Sequence, residues 1–139
     1  MKFIAIAVLA LVPHLTSVQA SIAPGAASNC GDLGVMSYTG PSLAGVDAAN
    51  TRTCREHPLR VDSGFSPKLA ARECWFGDDY GCTKGYCWEK CEGDGKWCWT
   101  AWNQGLGKWR SCSGKEDCAP NDTSACGQGG CDDCGCSCH

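Results

Sequence analysis

A chain of 139 residues with 14 cysteines and a formal net charge of −3 is small, sulfur-rich and mildly acidic, which already removes several classes of function. Nucleic-acid binding and the disruption of anionic membranes both call for an excess of positive charge. With 12 Lys and Arg against 15 Asp and Glu, this chain has the opposite balance.

Residues 1–20 read as a signal peptide. Lys2 supplies a positive start, Phe3 to Val12 form an apolar run shorter than the roughly 18 residues a membrane span requires, and Val18-Gln19-Ala20 has the small-x-small pattern that precedes cleavage. The mature chain is expected to begin at Ser21. Losing Lys2 reduces the 12 basic residues to 11 against 15 acidic ones, a net charge of −4. No second apolar run follows, so the expected product is soluble and exported, without stable membrane insertion. Residues 21–29 are small and featureless and read as a flexible lead-in. Residues 30–139 read as a single cysteine-rich domain, with a sparse part over 30–73 and a dense part over 74–139.

The sparse part holds Cys30 and Cys54, expected to bridge one another unless either reaches into the dense part. Leu33, Val35, Met36, Leu43 and Val46 are the one aliphatic cluster of the mature chain and predict a small apolar patch. Asp47 is placed to cap a short helix that Pro58 ends. Ser66 followed by Pro67 predicts a second short helix running into Cys74.

The dense part carries twelve of the fourteen cysteines, and between Cys74 and Cys138 the only Val, Leu, Ile or Met is Leu106. Such a segment cannot build an ordinary apolar core, so disulfides and aromatic rings must replace it. An even number of cysteines in a chain bound for an oxidising compartment predicts seven disulfides, drawn from Cys30, Cys54, Cys74, Cys82, Cys87, Cys91, Cys98, Cys112, Cys118, Cys126, Cys131, Cys134, Cys136 and Cys138. Their connectivity does not follow from spacing, since on the order of 135,000 pairings exist.

Residues 85–109 predict a β-hairpin closed by Asp94-Gly95, a pair suited to a two-residue type I′ turn. That register places Cys91 opposite Cys98, at a separation a disulfide spans. Alternation then puts Cys87, Cys91, Cys98 and Trp102 on one face, and Tyr86, Trp88, Trp97 and Trp99 on the other. This second face is either core material or an exposed platform for sugars or a partner protein. Trp75 and Trp109, outside the hairpin, are expected to pack. Beyond them irregular loops are expected, with a glycosylation sequon at Asn121-Asp122-Thr123.

The strings Tyr86-Cys87-Trp88, Trp97-Cys98-Trp99-Thr100-Ala101 and Cys134-Gly135-Cys136-Ser137-Cys138, set within Cys30-Gly31-Asp32-Leu33-Gly34-Val35-Met36 and Arg52-Thr53-Cys54-Arg55-Glu56-His57-Pro58, resemble small secreted cysteine-rich effector-like proteins of filamentous fungi. The nearest group is the "induced during incompatibility" type. The resemblance implies a secreted fungal protein associated with host interaction or non-self recognition. It supplies no catalytic residues.

Cys131-x-x-Cys134 and the Cys-x-Cys spacings after it, with His139, have the form of a soft-metal set, but an oxidising compartment favours structural cystines. A redox-active Cys131/Cys134 pair would call for a thioredoxin-like setting that this sequence lacks. His57, before Pro58, suits packing or capping. Asp78-Asp79 and Asp132-Asp133 read as solvated turns, and neither Ser63 nor Ser113 stands in a nucleophile motif. The expectation is therefore a small disulfide-rich α+β domain, hairpin-centred with one or two short helices and irregular stapled loops, without catalysis, metal or cofactor. It would act by contact with a host or neighbouring organism's protein and modulate defence or cell death. The alternatives are binding to cell-wall glycan through Tyr86, Trp88, Trp97 or Trp99, and action as an antimicrobial or competitor-directed toxin.

Overall fold

A computed structural model describes residues 29–37, 46–62 and 72–138. The signal peptide and lead-in, Leu43, the Ser66-Pro67 helix start and His139 lie outside these residues. The architecture is a four-stranded antiparallel sheet in the order β1-β2-β3-β4, with β1 at Tyr80–Thr83, β2 at Tyr86–Lys90, β3 at Trp97–Trp102 and β4 at Ser124–Cys126. Among the described residues no helix is long and apolar enough to cross a membrane.

The two-residue turn sits one hairpin earlier than the sequence suggests. Thr83 pairs with Tyr86, and the residues between them, Lys84 and Gly85, take φ of 50° and 82°, the doubly positive backbone of a type I′ turn. Around Asp94 the register is instead Trp88↔Trp99, Glu89↔Cys98 and Lys90↔Trp97, with Cys91 N–H donating to Lys96 O at 2.8 Å. A four-residue loop therefore joins β2 to β3, and its positive φ values fall on Gly93 and Gly95 rather than on Asp94. Asp94 accepts from Lys96 N at 3.2 Å and pairs with Lys96 Nζ. The expected Cys91-opposite-Cys98 register is thus displaced by two residues, and those cysteines do not bridge each other.

A displacement of two leaves each side chain on its face. Cys82, Cys87 and Cys98 lie on one side of the sheet and are bridged to Cys112, Cys118 and Cys126 respectively. Tyr86, Trp88, Trp97 and Trp99 lie on the other. Cys74–Cys138 and Cys91–Cys136 fasten the C-terminal segment to the strands, Cys131–Cys134 closes a small loop, and Cys30–Cys54 pins the N-terminal part. All fourteen cysteines are paired.

The helix expected after Asp47 is not formed. Asp47 does cap a turn, accepting from Ala49 N at 2.9 Å, but that turn is a 3-10 turn over Ala48–Asn50. The following residues pair sideways instead. Met36 N–H donates to Thr53 O at 2.8 Å, Arg55 N–H to Gly34 O at 2.8 Å and Arg52 N–H to Leu106 O at 2.9 Å, so this backbone is already used and cannot close helical bonds. A single helical turn, Leu59–Asp62, follows Pro58, and residues 72–74, the described end of the second expected helix, are extended. Leu33, Val35, Met36 and Val46 are only half-buried. The core proper is Trp99, Ala101, Leu106 and His57 with the buried cysteines Cys30, Cys87, Cys98, Cys118 and Cys131.

Candidate functional site

The aromatic face is a continuous series of ring contacts that runs from solvent into the core. Trp75 meets Trp88 at 5.7 Å between centroids, Trp88 meets Trp97 at 6.2 Å and Trp97 meets Trp99 at 5.0 Å, all edge-on. His57 then stacks on Trp99 at 4.4 Å and makes T-shaped contacts with Tyr86 and Trp109. Such edge-on contacts are the preferred arrangement of ring quadrupoles. Four indole N–H groups are satisfied: Trp75 donates to Asp78 O, Trp88 to Thr83 Oγ1, Trp97 to Glu73 O and Trp109 to Glu56 O.

Glycine allows the rings to lie flat. Gly81 faces Trp88 across the β1–β2 ladder, and a Cβ there would stand 2.6 Å from the indole. Gly77 holds the same relation to Trp75, at 2.5 Å.

Of the four aromatics singled out for binding, Trp99 is buried, Tyr86 packs on His57, and Trp97 lies under the Arg72 guanidinium, 5.2 Å from its centroid. Trp88, between Trp75 and Trp97, is half-buried like Tyr86 and Trp97. The exposed rings are others. Trp75 is 45% exposed and Phe76 76%, which corrects the expectation that Trp75 packs. Composition names a ring but not what will cover it, and here the 72–79 segment crosses the outside of the hairpin, with Trp75 N–H donating to Gly95 O at 2.8 Å. Two ion pairs flank these rings, Asp78–Lys115 at 2.9 Å and Asp79–Lys90 at 2.8 Å. The Lys90 ammonium holds the Asp79 carboxyl below its usual range. The adjacent aspartates thus serve two separate lysines and form no joint acid–base or calcium site.

Trp102, 41% exposed, stands elsewhere, with the Arg110 guanidinium 5.0 Å from its ring. It borders a groove of about 620 Å³ together with Asn50, Thr51, Asn103, Lys108 and Thr123. Beside this groove the sequon is ordered by its own hydrogen bonds, with Asn121 Oδ1 accepting from Thr123 N at 2.9 Å and from Thr123 Oγ1 at 2.8 Å. Asn121 itself is exposed.

His57 is 1% exposed and its Nδ1 accepts from Leu59 N at 3.3 Å, so it both packs and caps. Burial first, and then the positive charges of Arg72 and Arg52, push its pKa down to about 3. The ring is neutral and enclosed, which suits structure rather than proton transfer. As for metals, the sulfurs of Cys91, Cys98, Cys126 and Cys136 gather within 4.8 Å of one another, as do those of Cys82, Cys112 and Cys118. Metal binding needs thiolates, and these sulfurs are bonded in pairs, so the donor chemistry does not fit.

Arg52 gave no signal in the sequence, yet it organises the interior. Buried, with its pKa lowered to about 10 by desolvation, it donates to the carbonyls of Arg55, Gly105, Gly107 and Gln128 and lies over Trp109 at 4.2 Å. Its Nη2 also stands 3.7 Å from Cys131 Sγ and 3.4 Å from Cys134 Sγ. Compared with family models, curated proteins and solved structures, the chain matches none.

Proposed function

We propose that this chain is a secreted, effector-like protein ligand that acts without catalysis, by contact with a protein of a host or neighbouring organism. The observation that carries the reading is the pairing of Trp75 and Phe76, exposed side by side on a cystine-held framework. Neighbouring exposed aromatics with a charged rim have the composition of an interface centre, and Asp78–Lys115 with Asp79–Lys90 form such a rim. A backbone stapled by seven bridges loses little further freedom on binding, which favours affinity from a small surface. Export and a fungal origin rest on the signal-like start of the chain and on the resemblance of its cysteine strings.

The test is infiltration of purified oxidised protein into host tissue, with cell death or defence output as the readout. Phe76→Ser and Trp75→Ser are expected to abolish the response while leaving the near-ultraviolet circular dichroism of the buried rings in place. Full activity in both variants would overturn the reading.

A second reading, glycan binding, is favoured by the Trp102 groove, where an open indole stands among amide, hydroxyl and ammonium groups, the combination that stacks on and hydrogen-bonds a sugar. Retention on chitin or cell-wall glucan that Trp102→Ala removes would support it, and unretained wild-type protein would eliminate it.

A further inference from the structure

We propose that Cys131–Cys134 is a thiol–disulfide exchange site of oxidising character, with Arg52 stabilising the thiolates that form when it opens. This goes beyond the contact reading and does not depend on it. Three independent observations converge on the pair.

First, the fold has least use for this bridge. Its cysteines are 3 residues apart, against 24 to 64 for the other six, and a crosslink restrains the unfolded chain in proportion to the logarithm of the loop it closes. Second, the loop is held in shape without it. Asp132 pairs with Arg60 at 2.7 Å and Asp133 with Arg72 at 3.5 Å, while Asp132 N–H donates to the buried Glu56 carboxylate at 2.9 Å and Cys134 N–H to Cys131 O at 3.2 Å. Opening the bond therefore leaves two sulfurs in place. Third, the Arg52 guanidinium stands against both sulfurs, 3.7 Å from Cys131 Sγ and 3.4 Å from Cys134 Sγ, while the carboxylates of Glu56, Asp132 and Asp133 are each matched to Arg55, Arg60 or Arg72. A cation beside a cysteine lowers its thiol pKa, and a stabilised dithiolate state makes the disulfide a stronger oxidant.

The two sulfurs differ in access, and this sets the order of events. Cys131 is 8% exposed and Cys134 is half-buried. A partner dithiol, as its thiolate, attacks Cys134 Sγ. The Cys131–Cys134 bond breaks, Cys131 leaves as a thiolate beside Arg52, and a mixed disulfide joins Cys134 to the partner. The partner's second thiol, losing its proton, then attacks its own sulfur in that mixed disulfide and expels the Cys134 thiolate. The partner leaves as a disulfide, two electrons pass to Cys131 and Cys134, and the partner's two thiol protons go to solvent or to these sulfurs.

The full oxidised protein would be equilibrated with graded reduced and oxidised glutathione, alkylated with N-ethylmaleimide and mapped by mass spectrometry. Cys131 and Cys134 are expected to label together at a squared-reduced to oxidised glutathione ratio at least tenfold lower than opens any other bridge. With only that pair open, iodoacetamide reaction should be half-maximal below the pH of about 8.5 of an ordinary thiol, and Arg52→Met should raise that midpoint toward it. Should Arg52→Met fail to fold, the wild-type midpoint decides alone. Labelling in step with the other bridges, or a wild-type midpoint at or above about 8.5, overturns the proposal.

Discussion

His57 lies face to face on Trp99, with ring centroids 4.4 Å apart and planes 14° from parallel, and meets Tyr86 and Trp109 in T-shaped contacts on its other sides. A histidine so enclosed fills the place of an aromatic core residue and must remain uncharged to do so.

Acid should therefore loosen this protein through His57. Its pKa is about 3 in the fold and about 6.5 in the unfolded chain, so between these values the unfolded state binds the extra proton. The stabilisation is fully present above about pH 6.5 and declines as pH falls toward 3, amounting to roughly 4–5 kcal/mol in all. Burial raises the carboxyl pKa values of Glu89 and Asp133. Their contributions run the other way and are lost as pH rises through those raised values. Comparing guanidinium midpoints of wild type and His57→Phe at pH 7 and pH 5 isolates the histidine. Wild type should lose stability between the two and the variant should not.

Gly81→Ala tests the seat of Trp88. The new methyl would lie 2.6 Å from the indole, and tilting the ring away breaks its hydrogen bond to Thr83 Oγ1, 3.0 Å long. Overpacking of this kind costs about 1–3 kcal/mol. A lowered midpoint with altered near-ultraviolet circular dichroism is expected, whereas an unchanged spectrum would mean that the ring has room to move.

Glu56→Ala should detach the C-terminal segment locally. The buried carboxylate accepts from Arg55 at 3.0 Å, from Arg60 at 3.3 Å and from Asp132 N at 2.9 Å. Removing it takes the acceptor from the Asp132 N–H and one ion-pair partner each from Arg55 and Arg60, at roughly 1–3 kcal/mol. Faster hydrogen exchange around Asp132, with the sheet unaffected, is the readout.

Replacing Cys74 and Cys138 together by serine removes the crosslink with the longest span, 64 residues. On the loop-entropy account this costs about 4 kcal/mol. The same change at Cys131 and Cys134 should shift the denaturant midpoint much less, which equilibrium unfolding of the two variants compares directly.

The sorting of side chains onto two faces was legible because a strand has a period of two, and a register error of two residues at the β2–β3 loop leaves that sorting unchanged. The register itself was not legible. Asp94-Gly95 is the stronger turn signal, yet Lys84-Gly85 takes the type I′ backbone, because cross-strand partners such as Gly81 and Trp88 decide the alignment. Cys30–Cys54 could be read because it lies alone in a sparse region. The other pairings depend on how residues 112–138 fold back, and those residues have no periodicity to read. Arg52 was invisible for a related reason, since its carbonyl partners at Gly105 and Gln128 lie 53 and 76 positions along the chain. Which rings would stay uncovered was not legible either: Trp99 is buried, His57 packs on Tyr86 and Arg72 lies over Trp97, while Trp75 and Phe76 lie on the outside.

The fastening of Cys74 and Cys91 to Cys138 and Cys136 imposes a timetable on synthesis. A ribosome delivers the first pair of thiols 64 and 45 residues ahead of their mates, and during that interval each has nearer sulfurs within reach, Cys98 among them. Native pairing then requires provisional crosslinks to be undone by exchange through a free thiolate. Yield in a producing cell is accordingly governed by isomerase capacity more than by oxidant supply.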